Sequence, residues 1–223
     1  CNIRVPNEVK SLISSAIKEL GRLDYLVNNG GGQFIQPAEA ISPKGWNAVV
    51  DTNLTGTFYM CQEAFNQWME KHGGSIVNIT MDVYRGTPYM AHSGAARAGV
   101  ENLTRSLAIE WAEAGVRVNA VAPGNLIYSQ TAEKNYGSVN LFAHMIPYLP
   151  SKRLGLPEEI SPAVAFLLSD GASLISGQVL GVDAASRYYS RLLKEIPDHD
   201  RWPKPPSAAT SDLSSKGQRS HDN

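Results

Sequence analysis

The stretch DYLVNNGGGQF, Asp24 to Phe34, decides how the rest of the chain is read. Its first half is a short apolar run too brief for a helix, which is how a buried strand reads. Its second half holds three successive glycines, which let backbone turn sharply and let a ligand come close. Upstream, Val9, Leu12, Ile13, Ala16, Ile17 and Leu20 recur at three- and four-residue steps, one helical stripe that Gly21 ends. Downstream, Ser42 offers a cap and Pro43 a first helical residue. A long helix follows, carrying Trp46, Val49, Val50, Leu54, Phe58 and Phe65, and His72-Gly73-Gly74 ends it.

The same alternation continues. SIVNIT predicts a second strand, and a helix is expected from about Ser93 to Ala114, with Gly115 behind it. VRVNAVAPG reads as a third strand, and a polar stretch follows from Asn125 to Leu149. The Pro157-led PEEISPAVAFLL is a helix and GQVLGVD a last strand. Strands alternating with helices of this length predict an α/β fold with a parallel sheet. The chain divides into residues 1–190, one folded domain, and a tail, 191–223. The tail carries Pro203, Pro205 and Pro206 and a Ser/Lys/Asp-rich end, and is expected to fray beyond Lys204.

Composition narrows the class. The chain has 223 residues, 43% hydrophobic and 18% charged, enough for one domain with a real core. A formal net charge of −1 gives no general attraction to nucleic acid, so no nucleic-acid partner is expected. No apolar run approaches the roughly 18–20 residues of a membrane span, and CNIRVPNEVK has no signal-peptide pattern. The two cysteines, Cys1 and Cys61, do not suggest a disulfide framework. No metal site is expected.

Open parallel sheets bind ligands at the carboxyl ends of their strands. Asn28-Asn29-Gly30-Gly31-Gly32, the residues from Thr80 and the pair Pro123-Gly124 all fall there. A plain flexible loop explains the glycines as simply as a ligand does. Asn53 lies inside the long helix, with Gly56 three residues on. It reads either as a tolerated polar residue or as a local kink that frees a carbonyl or holds a water.

Taken together, these residues resemble the short-chain dehydrogenase/reductase superfamily. The likeness rests on NNGGG, on Thr52-Asn53-Leu54 with Gly56, and on GSIVNIT. It continues through Val118-Asn119 with Ala122-Pro123-Gly124, Arg153 to Glu159 and SGQVLGVDA, and covers nearly the whole chain to Ala185. NNGGGQF, TNLTGTFYMC, HSGAARAGV, YSQTA with NYG, and PDHDRWP most resemble the peroxisomal trans-2-enoyl-CoA reductases. That resemblance implies a Rossmann-like doubly wound parallel sheet that binds NADPH. It also implies reduction of the 2,3-double bond of a trans-2-enoyl-CoA in fatty-acid elongation. An acyl-CoA substrate, a homo-oligomer (dimer or tetramer) and a peroxisomal location come with it. The last residues, His221-Asp222-Asn223, are not a peroxisomal address, and without one the default is cytoplasmic.

Two departures accompany the likeness. The turn Thr-Gly-x-x-x-Gly-Ile-Gly, which holds a cofactor pyrophosphate at a helix N-terminus, does not occur. The resemblance places Cys1-Asn2 at the end of the family's third strand, so the first three strands are expected to be lacking and residues 1–190 to be the C-terminal two-thirds of an NAD(P)-binding Rossmann-fold reductase domain. DYLVNN would then be an apolar sheet edge, and this chain is expected to bind NADPH poorly. The second departure is Ser93 and Arg97, which stand where the superfamily carries its tyrosine and lysine. A ketone reductase needs that phenol to protonate an alkoxide. An enoyl thioester does not, because its charge develops on the thioester oxygen and asks only for hydrogen-bond donors.

Candidate catalytic residues are therefore Asn53, Ser93, Arg97 and Tyr84. Ser93 could cap its helix, donate to the substrate, or both. Arg97, one turn on, offers donors to the nicotinamide ribose. Tyr84 could supply a displaced phenol, although a loop aromatic fits it better, and the same holds for Tyr89; His92 could donate a proton near neutral pH, although a loop histidine without function fits it better. Glu101 is expected to pair with Arg105 on the surface. By resemblance, Asn53 holds a water or an enolate-side bond. Asn2, Asn29, Gly30, Gly31, Arg97, Pro123, Gly124, Ile127, Ser129 and Thr131 form the cofactor site. Asn125 to Tyr148 form the substrate lid. The remaining readings are another reductase of the superfamily, acting on 2,4-dienoyl-CoA or hydroxy/keto substrates, and a non-catalytic chain that only associates with other subunits.

Overall fold

A computed structural model describes residues 1–124, 127–128 and 141–204. Helix α1 runs over Pro6–Leu20 and is closed by Gly21 in the left-handed conformation, φ 74°. Strand β1 is Tyr25–Asn28. A continuous rod then runs through α2 (Pro43–Val50), α3 (Gly56–Ala64) and α4 (Glu70–His72), joined by two wider π-helical turns at Asp51–Thr55 and Phe65–Met69. Ser42 caps it as expected, its hydroxyl accepting from Gly45 N at 3.1 Å. Strand β2 is Gly74–Ile79, α5 Ala91–Glu110 and β3 Val116–Pro123. A short α6, Leu141–Met145, precedes α7, Pro157–Leu168, and strand β4 is Val179–Val182.

The four strands are all parallel, in the order β1-β2-β3-β4. Alternate residues of each strand face opposite layers, so one strand feeds two cores. Ile76 and Val118 join Ile13, Cys61, Met69 and Leu107 on the side of α1, α3 and α5. Val77 and Val121 join Ile160 and Leu167 beneath α7 on the other. This is the Rossmann-like arrangement expected. Among the described residues no strand pairs with the free side of β1, and Ile3-Arg4 form the turn into α1, closed by Val5 N donating to Asn2 O at 2.9 Å. Tyr25 and Val27 on β1 are exposed on the face that α7 leaves uncovered.

Two polar networks tie the layers together. Asn28 Nδ2 donates to Asn78 Oδ1 at 2.8 Å, and Asn78 Nδ2 donates to Thr104 Oγ1 at 3.0 Å, linking β1, β2 and α5. Cys61 Sγ accepts from the same Asn28 amide, and burial pushes its thiol up to about 12. A thiol titrated with Ellman's reagent should therefore count one reactive group in the folded chain, the exposed Cys1, and two in denaturant.

The second network was not foreseen. Arg117, the second residue of β3, donates to Leu167 O (2.7 Å), Leu168 O (3.2 Å) and Ser169 O (3.2 Å). A guanidinium thus occupies the carbonyl end of α7, where the helix dipole favours a cation. Arg117→Ala is expected to cost about 2 kcal/mol of stability, read from denaturant unfolding. A change below about 0.5 kcal/mol would show that water replaces the guanidinium there.

Candidate functional site

The glycine loop after β1 is anchored by the long helix. Asn53 is fully buried. Its Oδ1 accepts from Gly32 N at 2.9 Å and its Nδ2 donates to Gly32 O at 3.0 Å, so the amide pairs with the loop backbone as another strand would. The π-helical turn aims it there: Gly56 N reaches back five residues to Asp51 O, and Thr57 Oγ1 takes Asn53 O at 2.9 Å. Holding the loop is a role the sequence did not suggest for Asn53, and it uses one of the two hydrogen-bonding positions on each amide atom. Gly56 is also explained by contact. A Cβ there would lie 2.7 Å from the Ile3 side chain.

Helix α5 brings the other pair. It begins at Ala91, two residues before Ser93, so Met90 stands at the N-cap and Ser93 does not cap the helix. Ser93 is fully buried, and its hydroxyl donates to Gln33 Oε1 at 2.6 Å, with Met81 Sδ at 3.7 Å. Its backbone N donates to His92 Nδ1 at 2.8 Å, which leaves the His92 Nε2 proton buried without an acceptor among the described residues. Phe34 meets the His92 ring edge-on at 4.3 Å.

Arg97 lies one turn further on. Its Nη1 donates to Ile79 O at 2.7 Å, at the carboxyl end of β2, and no carboxylate pairs with it among the described residues. Burial pushes the guanidinium down to about 10, so it remains a cation at neutral pH. A cation held out of water without a counter-charge is stabilised by any ligand that brings acceptors to it. Gly31 makes room for it. A Cβ at Gly31 would fall inside contact distance of Arg97 Nη2 and 2.9 Å from Asn53 Oδ1. Glycine loop, Asn53 and Arg97 are thus one packed unit.

The remaining candidates divide. Asn2 lines an open cleft of about 540 Å³ with Gly30, Gly31, Gly32, Ala48 and Thr52, and its Oδ1 accepts from Arg4 Nε at 3.1 Å. Asn29 is exposed beside that cleft. Pro123 O accepts from Asp82 N at 3.1 Å, and Gly124 N donates to Val182 O at 3.0 Å, so both sit at the strand ends as expected. Ile127 bridges to Gly155 and faces a different cleft, of about 490 Å³. Tyr84 is 71% exposed with its ring edge against Tyr188, and so stays out of the buried cluster. Tyr89 is exposed as well, whereas His92 is not a loop residue but a buried residue of α5. Glu101 and Arg105 pair at 3.4 Å. Ser129 and Thr131 lie outside the described residues, as does most of the expected lid. Gln33 was missed. The only trace it leaves in the sequence is a polar side chain directly after three glycines.

Comparison with known proteins identifies the family. The family described as enoyl-(acyl carrier protein) reductase matches residues 1–184. The chain is a short-chain dehydrogenase/reductase. As a member of that superfamily it is 43% identical over 185 residues to a Bacillus subtilis (strain 168) protein named probable 2,4-dienoyl-CoA reductase, (2E)-enoyl-CoA-producing. The match covers 82% of this chain and 73% of that protein. A peroxisomal 2,4-dienoyl-CoA reductase of Danio rerio, (3E)-enoyl-CoA-producing, is 36% identical over 83% of this chain and 62% of its own length. Among solved structures, the citronellol catabolism dehydrogenase AtuB of Pseudomonas aeruginosa PAO1 is 44% identical, with a TM-score of 0.72 over 84% of this chain and 72% of its own. The chain therefore spans only part of each of these relatives.

Proposed function

We propose that this short-chain reductase acts on the carbon–carbon double bond of an unsaturated acyl-CoA thioester, with NADPH as the reductant. The observation that carries this is the buried pair Ser93–Gln33 at 2.6 Å where a ketone reductase needs a phenol, with Tyr84 turned to the surface. The cluster offers hydrogen-bond donors and no strong acid, which suits an enolate better than an alkoxide.

The residues present fit two parts of a dinucleotide. The cleft between Asn2 and the glycine loop suits an adenosine, and the unpaired Arg97 cation suits ribose hydroxyls. The cofactor, when bound, supplies the hydride. Ser93 turns its one hydroxyl proton from Gln33 Oε1 to the thioester oxygen when substrate binds. Arg97 holds the ribose side and adds positive potential. Asn53 keeps the glycine loop in place. Hydride delivered to C3 and a proton to C2 turn a trans-2-enoyl thioester into the saturated acyl-CoA. The names of the relatives favour a second substrate, a 2,4-dienoyl-CoA, whose extended enolate needs the same donors.

The test is consumption of NADPH with trans-2-decenoyl-CoA, 2,4-decadienoyl-CoA and 3-oxodecanoyl-CoA. Turnover of either alkene without the ketone is expected. Faster reduction of the ketone would overturn the assignment, and failure of all three would favour the purely associating chain. Arg97→Ala should raise the apparent KM for NADPH about tenfold or more, the worth of a charge-assisted hydrogen bond. An unchanged KM would remove Arg97 from the cofactor site.

A further inference from the structure

The second cleft, at the ends of β3 and β4, lies outside the cluster just described. Its volume is about 490 Å³, within the range of small-molecule pockets. Its walls are largely apolar: Ile127, Leu149, Ile160, Val182 and Trp202. Its charged groups are already occupied by one another. Arg153 holds Glu159 through two hydrogen bonds, at 2.9 and 2.7 Å, and keeps its carboxyl below the usual carboxylate range. Asp183 is paired with Arg187 and also accepts from Ala185 N. Among the described residues no free charge is left there to greet a phosphate, so the cleft suits hydrocarbon.

The wall formed by Trp202 comes from far along the chain, and a set of contacts holds it in place. His199 meets Pro150 O at 2.9 Å, and Arg153 donates to Pro203 O through Nε (3.1 Å) and Nη2 (2.6 Å). Arg191 lies over the Tyr148 ring at 5.0 Å. Residues 191–204 thus form a strap bound to the segment that leads into α7. The cleft opens at strand ends adjacent to those that carry the reaction site. Gly124 lines it and follows Pro123, whose carbonyl bonds Asp82, three residues beyond the Ile79 that carries Arg97. Adjacent strand ends are only about 4.8 Å apart.

We infer that this cleft seats the hydrocarbon chain of the substrate and that Trp202 is its specificity-determining wall. The inference rests on the acyl-thioester reading above. Its test is calorimetric titration of the full chain and of Trp202→Ala and Trp202→Phe with butanoyl-CoA, decanoyl-CoA and decan-1-ol. The wild type should favour decanoyl- over butanoyl-CoA. Trp202→Ala should lower that ratio on the order of tenfold with little change for butanoyl-CoA, and Trp202→Phe should restore most of it. An equal ratio in wild type and Trp202→Ala overturns the cleft assignment and leaves the thioester reading intact. Binding of decanol that depends on Trp202, with no binding of either thioester, upholds the cleft as a hydrocarbon site and overturns the thioester reading. Absence of all binding overturns both.

Discussion

Gly31→Ala is expected to lower kcat/KM about 100-fold while most of the fold survives. The new methyl group would press on Arg97 Nη2 and on Asn53 Oδ1 together. The guanidinium can swing, but only by leaving Ile79 O, its partner at 2.7 Å. The loop can lift, but only by loosening the Asn53–Gly32 pair. Either response moves a site group by about an ångström, and displacements of that size cost roughly 100-fold. Gly32→Ala is the internal control. A Cβ at Gly32 would meet nothing within 4 Å, so its effect should be several times smaller. Equal kinetics for the two variants would show that the glycine loop does not set the position of Arg97.

Asn53→Ala is expected to lose about 2–3 kcal/mol of stability and to reduce turnover more than cofactor affinity. Two hydrogen bonds, each worth about 1 kcal/mol, vanish together with a fully buried side chain. The freed loop carries Gln33, the partner that orients Ser93. The defect therefore reaches the serine even though Asn53 touches no reacting atom. Urea unfolding with steady-state kinetics separates the two effects. A stable variant with normal turnover would reduce Asn53 to a tolerated polar residue, which is how the sequence alone first reads it.

The sequence places the candidate residues along the chain but does not give their hydrogen-bond partners. Arg97 stands at the end of β2 and Pro123-Gly124 at the end of β3, as the alternation and the family resemblance imply. Ser93 and Arg97 share a helix face because they are four residues apart, a relation that helical geometry fixes locally. The partners differ because they come from distant segments. Asn53 bonds a loop 21 residues back, and Ser93 bonds Gln33 across 60 residues. Met90 displaced Ser93 from the cap because the helix starts two residues early.

By itself the sequence determined the order of strands and helices, the caps at Ser42 and Gly21, and the superfamily. The elements and caps rest on periods of two and 3.6 residues and on turn chemistry, which neighbours along the chain specify, whereas the superfamily rests on the resemblance of its motifs. Only the tertiary structure decided that Asn53 serves the loop, that Gly31 clears a space for Arg97, that Arg117 closes α7, and that Trp202 walls the second cleft. Each of these is a contact between segments whose approach follows from packing the two faces of one sheet. No local pattern records which side chains that packing will bring together.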